Sequence, residues 1–300
     1  MSKFLLYGSV ALDTIYTPYG KGEEILGGSA TYAALAGRMF STPVLVGCVG
    51  EDFPPSYLEF LKESGISLEG LEIKKGKTFR WVARYGENPN QVEVLSTCQN
   101  VIEDFFPVLT PPLREISIVF LANNSPSAQL DLIRQVNSPK LVIWDTMNYW
   151  IENYRQDLEK VLPYVDIALL NDEEARRLTG EFNLIKAGKA LLKRGIKGVV
   201  IKKGEHGSLY ISPEDFFLLP AYPVEKVVDP TGAGDTFAGA FTGYLAKEDT
   251  LTFSRLKKAL GFGTILASFC VEGLGVERLK RLKREEVEAR WENFQRMMQF

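Results

Sequence analysis

The stretch Val228 to Phe237 combines residue types that could do chemistry. It reads Val-Asp-Pro-Thr-Gly-Ala-Gly-Asp-Thr-Phe, and the small residues from Ala238 to Ala246 that follow it predict a helix. Gly232 and Gly234 let the backbone turn tightly with unhindered N–H groups, and the positive end of the helix faces the same point. The pattern therefore predicts a site for an anion.

Asp235 is expected in the first turn of that helix, where its carboxylate would lie beside a bound phosphoryl group. A carboxylate in that place can accept the proton of an attacking hydroxyl, as the aspartate of kinases does. Asp235 is thus the candidate catalytic base, and Gly232, Ala233 and Gly234 form the candidate anion hole. A Gly-x-Gly-Asp turn also occurs as an ordinary helix cap, so the motif alone leaves both interpretations open.

Several other functional classes lack their motifs. Phe237 stands where the third glycine of a dinucleotide fingerprint belongs, and the sequence contains no Gly-x-x-x-x-Gly-Lys-Ser/Thr loop. The single histidine, His206, has no Gly-x-Ser-x-Gly partner motif, which disfavours a Ser-His-Asp hydrolase and excludes a His-rich metal site. A nicotinamide oxidoreductase remains a third-ranked alternative.

Composition and charge indicate an ordinary globular protein, which we expect to form a single domain over 1–300. Hydrophobic residues make up 45% and charged residues 24% of the chain, and the net charge is −3 without a dense basic stripe. We therefore expect no nucleic-acid partner. Cys48, Cys98 and Cys270 lack zinc or disulfide spacing, which fits a reducing cytoplasm. No signal peptide or membrane span is evident, so we expect a cytoplasmic protein without a membrane partner.

Short apolar runs alternate with helix-length amphipathic segments, a pattern typical of a mostly parallel sheet buried between helices. The predicted strands are Phe4 to Tyr7, Val44 to Cys48, Ile118 to Leu121, Leu141 to Trp144, Ile167 to Leu170 and Val199 to Ile201. The predicted crossover helices are Ala30 to Phe40, Pro55 to Ser64, Ser127 to Gln135, Asp157 to Leu162, Asp172 to Leu178 and Leu184 to Lys193.

One region breaks this pattern. Residues Thr78 to Tyr85 alternate strictly in character, Gly86 to Asn90 is rich in turn residues, and Gln91 to Ser96 returns, which predicts a β-hairpin. Together with Asp13 to Ile25 it would form a small β-sheet outside the main sheet, so we assign a lid to about 13–25 and 72–98. Such a lid could cover a cleft and exclude water from a transferring phosphate.

The chemistry-bearing segment also resembles a known family. Asp229 to Phe237 resembles the signature Asp-x-Thr-Gly-Ala-Gly-Asp-x-Phe of the ribokinase-like (PfkB) carbohydrate and nucleoside kinases. Further segments occur in the family's order, and the resemblance covers essentially the whole chain. These segments are Gly8 to Asp13, Leu26 to Ala33, Val49 to Phe53, Asn171 to Glu174 and Lys203 to Gly207. The resemblance implies an ATP-dependent kinase with a ribokinase-like three-layer α/β sandwich and a small β-sheet lid.

The resemblance assigns the nucleotide side of the site. Asn171 and Glu174 match the pair that places Mg²⁺ and the nucleotide phosphates, through waters because Mg²⁺ dehydrates reluctantly. Asn171 could equally cap the following helix, and both roles are compatible. Lys203, Gly204 and Gly207 match the loop that lies along the nucleotide, although a tight turn between strands would also explain the two glycines.

On the acceptor side, Asp13 corresponds to the aspartate that binds substrate hydroxyls, a role that suits a carboxylate because it can accept from two of them. Gly28 and Ser29 correspond to the loop beneath the sugar. The resemblance also makes Asp229 and Thr231 candidates for holding a monovalent cation such as K⁺.

Two positions depart from the family pattern. Tyr32 replaces an asparagine that reads hydroxyls in many members, so it either contacts a changed substrate or packs in the interior. Asn124 stands where an acidic hydroxyl ligand is often found, and a neutral amide there indicates a changed substrate.

Four further polar residues are candidates from position alone. Arg80 and Arg84 share one face of the hairpin and could bind a carboxylate or phosphate on the substrate, or simply be solvated. Asp145 and Asn148 lie just beyond the predicted strand Leu141 to Trp144, at the carboxyl edge where open parallel sheets bind ligands.

The sequence thus predicts a kinase that phosphorylates a sugar or nucleoside with ATP and Mg²⁺. A phosphorylated or acidic sugar is the alternative acceptor, and a non-catalytic nucleotide- or sugar-binding regulator is the alternative of another class. The apolar hairpin face of Phe79, Trp81 and Tyr85 could cover the cleft or pair with a second subunit in a homodimer.

Overall fold

Thirteen strands and twelve α-helices are present in a computed structural model, which describes residues 2–248 and 251–299. The strands are β1 Lys3–Tyr7, β2 Ala11–Thr17, β3 Gly20–Gly27, β4 Thr42–Gly50, β5 Ser67–Lys74, β6 Phe79–Tyr85, β7 Val92–Cys98, β8 Ile118–Leu121, β9 Leu141–Asp145, β10 Ile167–Asn171, β11 Gly198–Lys202, β12 Ser208–Ile211 and β13 Phe216–Leu219.

The helices connect and flank these strands, as the amphipathic segments predict. They are α1 Ser29–Gly37, α2 Pro55–Glu63, α3 Pro111–Arg114, α4 Pro126–Gln135, α5 Asn148–Asn153, α6 Arg155–Val161, α7 Asp172–Thr179, α8 Leu184–Leu192, α9 Ala233–Ala246, α10 Phe253–Cys270, α11 Glu277–Arg281 and α12 Arg284–Met297. Short 3₁₀ turns occur at Asn100–Ile102, Leu162–Tyr164 and Gly204–His206.

Nine strands form one large sheet in the order β13-β12-β11-β10-β9-β8-β1-β4-β5. All neighbouring pairs from β11 to β5 are parallel, and β12 and β13 add an antiparallel edge. Each of the six predicted strands and six predicted crossover helices is present, with ends shifted by a few residues at most. The predicted fold class is confirmed.

Helices bury the large sheet on both faces. Along β1, Phe4 and Leu6 belong to one buried cluster, whereas Leu5 and Tyr7 belong to the other. The first cluster is completed by α1, α9, α10 and α12, and the second by α4, α6, α7 and α8. Strands buried on both faces need apolar residues at successive positions, which explains the uninterrupted runs in the sequence.

Helices α1 and α9 approach so closely that only glycine fits between them. An idealised Cβ on Gly239 would lie 2.1 Å from the Ala33 carbonyl oxygen, and one on Gly243 would lie 2.5 Å from that of Gly37. Helices that lack these side chains can bring their backbones together. This contact holds the first turn of α9 beside the first turn of α1.

The remaining four strands form a separate small sheet in the order β3-β2-β6-β7. Strands β2 and β6 are parallel, and Asp13 lies opposite Trp81 in their register. The expected lid segment 72–98 begins inside β5, which pairs with β4 in the large sheet, so the small sheet itself takes up the chain only at Phe79.

The length and hydrophobicity of a helix decide whether it could cross a membrane. Within residues 2–248 and 251–299, no helix is both long and apolar enough to cross a membrane.

Candidate active site

Three polar side chains end neighbouring strands at one edge of the large sheet. Asp145 is the last residue of β9, Asn171 the last of β10 and Lys202 the last of β11. Asn171 lies opposite Lys202 in the β10–β11 register, and β9 pairs with β10 on the other side. Because the carboxyl ends of parallel strands meet at one edge, the side chains gather where such sheets bind ligands.

The turn predicted as an anion hole lies at the amino end of α9. Gly232 precedes the helix with a φ of 72°, a conformation that glycine adopts without strain. The regular hydrogen bonds of α9 begin with the Thr236 N–H, donated to the Gly232 carbonyl at 2.8 Å. The Ala233 N–H, predicted as part of the anion hole, donates instead to the Pro230 carbonyl at 3.2 Å, and the Asp235 N–H donates to its own carboxylate. The Gly234 N–H precedes the regular helical bonds and is the donor left for a ligand.

Asp235 lies in the first turn of α9, as predicted, and is half-buried. Burial, and then the negative charge of Asp145, raise the pKa of its carboxyl to about 7, although the ammonium of Lys202 and the Asp235 N–H act to lower it. A base with a pKa near neutrality suits proton transfer at physiological pH.

Lys202 and Asp145 form an ion pair across the intervening strand β10. The Lys202 Nζ lies 2.9 Å from Asp145 Oδ2, and the side chains are only 15% and 5% exposed. The other carboxylate oxygen, Oδ1, accepts the Thr146 N–H at 2.8 Å. Asp145 was a sequence candidate, whereas Lys202 was missed.

Asn171 and Glu174 hold one another in a reciprocal cap at the start of α7. The Asn171 Oδ1 accepts the Glu174 N–H at 2.7 Å, and Glu174 Oε2 accepts the Asn171 N–H at 2.7 Å. The capping role that the sequence suggested is therefore present. The pKa of Glu174 is raised to about 8, chiefly by burial and then by the nearby Asp145 and Asp235 carboxylates. Lys202 and the Asn171 N–H act in the opposite direction.

Asp13 and Asn124 bring unpaired polar atoms into the interior on either side of the Gly27–Ser29 turn. The side chains are 3% and 7% exposed. Within the described residues, neither Asp13 Oδ1 nor Asn124 Nδ2 has a hydrogen-bond partner. The pKa of Asp13 is raised to about 8, chiefly by burial and in part by the charges of Asp229 and Asp235. The Gly28 N–H acts to lower it. An acceptor and a donor left buried in this way are typical of a binding site.

Gly28 and Ser29 shape the turn between them. Gly28 has a φ of 93°, and a Cβ there would lie 2.5 Å from the Ser9 carbonyl oxygen. The Ser29 hydroxyl donates to the Asn123 carbonyl at 2.9 Å and accepts the Ser9 N–H at 3.0 Å. Both residues therefore order the backbone that carries Asp13 and Asn124.

Of the two interpretations of Tyr32, the structure agrees with packing. Its side chain is 1% exposed, and it belongs to the buried cluster between α1 and α9. The ring lies directly against Gly232, which places it beneath the anion-hole turn instead of on the surface of the cleft.

Asp229 and Thr231 are buried immediately before that turn. Asp229 Oδ1 accepts the Thr231 N–H at 2.9 Å, and its Oδ2 accepts the Gly275 N–H at 2.7 Å. These two bonds tie the turn to the segment after α10. Burial raises the pKa of Asp229, and the hydrogen bonds lower it again in part.

The small sheet contacts the candidate site at two places. The Thr231 hydroxyl lies 3.3 Å from the Tyr85 hydroxyl at the end of β6. At the hairpin tip, Asn90 Nδ2 donates to Glu205 Oε1 at 3.2 Å. The second contact joins the hairpin to the loop Lys203–Gly207, the segment expected along the nucleotide.

Within that loop, the two glycines differ in their surroundings. Gly207 has a φ of 80°, and a Cβ there would lie 2.0 Å from the Leu219 carbonyl oxygen, so the turn into β12 requires glycine. Gly204 is exposed with a φ of 56°, and Lys203 is partly exposed. The loop follows Lys202 directly at the carboxyl edge.

Arg80 does not reach the cleft, contrary to its expected substrate role. It alternates with Trp81 along β6, and Trp81 shares the face of Asp13. Arg80 instead makes ion pairs with Asp52 and Glu24, each at 2.8 Å. Arg84, on the same outer face, pairs with Glu93 at 3.1 Å. The two arginines therefore bridge strands and loops on the outside of the small sheet.

Two site features escaped the sequence analysis. Lys202 stands beside Lys203 in a Lys-Lys pair, and only the strand end at Lys202 distinguishes them. Trp81 was assigned to an apolar face but not to the acceptor side, although β2 and β6 place it next to Asp13.

Asn148, a candidate at the sheet edge, begins α5 with a buried Oδ1 that has no hydrogen-bond partner among the described residues.

Comparison with known proteins gives consistent matches. The model of the pfkB family of carbohydrate kinases matches residues 1–280. A cytidine kinase from Thermococcus kodakarensis is 33% identical over 253 residues, which cover 80% of this chain and 87% of that protein. A nucleoside kinase from Methanothermobacter thermautotrophicus is 30% identical over 268 residues, 84% of this chain and 80% of the relative.

Solved structures share the fold. The structure of Arabidopsis thaliana ribokinase complexed with ribose and ATP has a TM-score of 0.78 and 23% identity, and the match covers 97% of this chain and 98% of that one. The same strands and helices therefore recur over nearly the whole length of both chains.

Proposed function

Since the chain belongs to the pfkB family of carbohydrate kinases, and is thus a phosphotransferase that acts on hydroxyl groups, we propose that it transfers the γ-phosphoryl group of ATP to a sugar or nucleoside. One observation carries the proposal. A half-buried Asp235 with a pKa of about 7 lies in the first turn of α9, between the buried Asp13 pocket and the polar edge formed by β9, β10 and β11.

In this reaction, Asp235 accepts the proton of the acceptor hydroxyl as its oxygen attacks the γ-phosphorus. A new oxygen–phosphorus bond forms while the bond to the bridging oxygen breaks, and ADP leaves with that electron pair. The Gly234 N–H stabilises the charge on the transferring group. Gly232 supplies the backbone turn that aims it.

The acceptor pocket favours a neutral polyol. Asp13 Oδ1 and Asn124 Nδ2 are the buried acceptor and donor that adjacent hydroxyls would satisfy. An anionic acceptor would lie beside the acidic groups Asp13, Asp229 and Asp235 and would raise their pKa values further. Ribose in the ribokinase complex and the nucleosides of the relatives are neutral at their hydroxyls, in agreement with this choice.

The nucleotide would lie along Lys203, Gly204 and Gly207, at the carboxyl edge beside α9. Asp145, Glu174 and Asp235 lie beside the one ammonium of Lys202 in this part of the described chain, and a divalent cation there would lower the raised pKa values of these acids and hold them ionised. Asn171 and Glu174 would hold Mg²⁺ through waters. When bound, Mg²⁺ neutralises charge on the β- and γ-phosphates.

We extend the proposal to a monovalent cation at Asp229 and Thr231, where the buried carboxylate lies behind the anion-hole turn. Turnover at constant ionic strength in K⁺, Na⁺ or tetramethylammonium tests this extension. Faster turnover in K⁺ supports it, and equal rates in all three remove the cation from the proposal.

A homodimer through the small sheet also stays a proposal. The edge strand β7 exposes Val92, Val94 and Leu95 at 48%, 51% and 40%, an apolar strip that a second subunit could cover. Sedimentation of the wild type and of Val94→Lys checks it, and a monomeric wild type would contradict it.

The two alternative functions, a kinase of an acidic acceptor and a non-catalytic regulator, require different residues at the site. An acidic or phosphorylated acceptor needs cationic contacts, and Arg80 and Arg84 lie on the outer face with carboxylate partners. A non-catalytic regulator has no need for the base at Asp235. We therefore favour catalysis on a neutral acceptor.

The test is a screen of acceptors for ADP release with ATP and Mg²⁺. The panel contains nucleosides, pentoses, hexoses and their phosphates. Turnover with a neutral polyol supports the proposal, turnover confined to anionic acceptors supports the first alternative, and binding without ADP release across the panel supports the regulator.

A further inference from the structure

Lys202 is a buried cation at the carboxyl edge of the large sheet. It ends β11, its side chain is only 15% exposed, and its Nζ lies 2.9 Å from Asp145 Oδ2. Asp145 is itself fixed by the Thr146 N–H at Oδ1. The ammonium is therefore held in one position before any ligand arrives.

That position is against the anion-hole turn. An idealised Cβ on Gly234 would lie 3.2 Å from the Lys202 Nζ and 4.0 Å from its Cε. The Gly234 N–H precedes the hydrogen-bond ladder of α9, so a backbone donor and an ammonium border the same space. Glycine at 234 leaves that space open.

The surrounding charges keep the lysine protonated. Burial lowers its pKa, but the carboxylates of Asp145, Glu174 and Asp235 more than compensate, so its pKa is raised overall. The Asp145 carboxylate alone completes the ion pair, and Glu174 and Asp235 are further acidic groups beside the ammonium. A second ion pair, just before β11, shows the difference: Lys197 Nζ lies 2.7 Å from Asp166 Oδ1 at the opposite edge, with the lysine side chain 79% exposed.

We propose that Lys202 is a catalytic residue that binds the terminal phosphoryl group of the nucleotide, and that Asp145 is the positioning residue that aims it. This inference rests on the proposed kinase function. The ammonium balances the charge on the γ-phosphoryl oxygens while the bond to the acceptor forms and the bond to ADP breaks. Because ADP lacks that group, Lys202 distinguishes ATP from ADP.

The experiment compares wild type with Lys202→Met and with Lys197→Met. Both substitutions remove a lysine from an ion pair, one at the end of β11 and one just before it, but only the first lies at the proposed site. We expect Lys202→Met to lower kcat by about 10²–10³-fold, the usual loss for one stabilising donor. It should weaken ATP binding about tenfold or more, as for one charge-assisted hydrogen bond, and change ADP binding little. Lys197→Met should change neither.

Two more variants protect the test against misfolding. Lys202→Arg keeps the charge and the partner, so it should fold and retain part of the preference for ATP over ADP. Asp145→Asn keeps Lys202 but frees it, so it should lower kcat more than it raises the KM of the acceptor. A Lys202→Met variant with wild-type kcat and a wild-type ratio of ATP to ADP affinity would overturn the inference, as would a folded Lys202→Arg variant with no preference for ATP over ADP.

The outcomes separate this inference from the proposed function. Turnover by wild type and unchanged turnover by Lys202→Met would sink the inference and leave the kinase standing. ATP binding that depends on Lys202, without phosphoryl transfer to any acceptor, would support Lys202 as the residue that binds the terminal phosphoryl group but would overturn its catalytic role together with the kinase. A wild type that binds no nucleotide would overturn both.

Discussion

The ring of Tyr32 lies directly beneath Gly232, and an idealised Cβ on that glycine would be 2.3 Å from both Cγ and Cδ1 of the ring. The tyrosine on α1 therefore forms the floor of the turn that begins α9. Gly232 also has a φ of 72°, which an L-residue adopts only with strain. The first turn of α9 thus depends on one residue without a side chain and one fully buried ring.

We expect Gly232→Ala to lose at least about 1–2 kcal/mol of unfolding free energy from the left-handed conformation alone, and more from the contact with Tyr32. Thermal unfolding and kcat measure the effect. Tyr32→Phe is the control, because the Tyr32 hydroxyl is buried without a partner among the described residues and its removal should cost little. A Gly232→Ala variant as stable and active as wild type would contradict the packing described here.

Replacing Asp235 with asparagine should leave the fold intact and lower kcat by about 10²–10⁴-fold, the usual contribution of a positioned base. In the wild type, kcat/KM should fall as the pH drops through about 7, since the protonated carboxyl cannot accept the hydroxyl proton. Rate measurements between about pH 5.5 and 9, a range that brackets this pKa, check both expectations. Full turnover by Asp235→Asn would remove this residue as the base.

Much of this site could be predicted from the order of residues along the chain. The apolar runs that became β1, β8, β9, β10 and β11 need no tertiary information, because strands buried on both faces must be apolar throughout. The place of Asp235 in the first turn of α9 likewise follows from the two glycines before it.

What could not be predicted depends on contacts between distant segments. Alternation showed that Arg80 and Trp81 face opposite ways, but only the pairing of β6 with β2 decides that Trp81 shares the face of Asp13. The role of Tyr32 depends on how closely α1 approaches α9. Lys202 gains its partner across β10, a neighbour relation set by strand order and invisible in a local motif.

Loss of the Asp13 proton should make the ligand-free protein less stable at high pH. Burial raises its pKa from 3.8 to about 8, so the folded state holds a proton that the unfolded chain has lost. The stabilisation is complete below about pH 4 and is lost as the pH rises through about 8. Asp13→Asn should therefore gain stability over wild type at pH 9 but not at pH 4, as measured by Tm.

The matched control for this comparison is Asp104→Asn, which changes an exposed carboxyl. Its Tm should follow that of the wild type at every pH. Equal Tm differences between Asp13→Asn and wild type at both ends of the pH range would show that Asp13 is ionised in the folded state throughout.

Glu174→Gln should weaken the apparent affinity for Mg²⁺ without disturbing α7. The amide oxygen of glutamine can still accept the Asn171 N–H, so the cap survives while the charge is lost. We expect the Mg²⁺ concentration for half-maximal turnover to rise about 10–100-fold, as for other outer-sphere ligands. Glu173→Gln is the control, since Glu173 is an exposed neighbour paired with Arg177. Equal Mg²⁺ dependence in the two variants would contradict the proposed role.

Trp81 should hold the acceptor by its apolar face. It lies opposite Asp13 in the β2–β6 register, so a polyol bound by the Asp13 carboxylate would have the indole ring beside it. Trp81→Ala should raise the acceptor KM about tenfold or more, equivalent to the loss of one aromatic contact, while the KM of ATP stays constant. Val82→Ala, one residue along β6 and on the opposite face, is the matched control. A Trp81→Ala variant that raises both KM values equally would point to a lid that no longer closes over the site, and would rule out a contact specific to the acceptor.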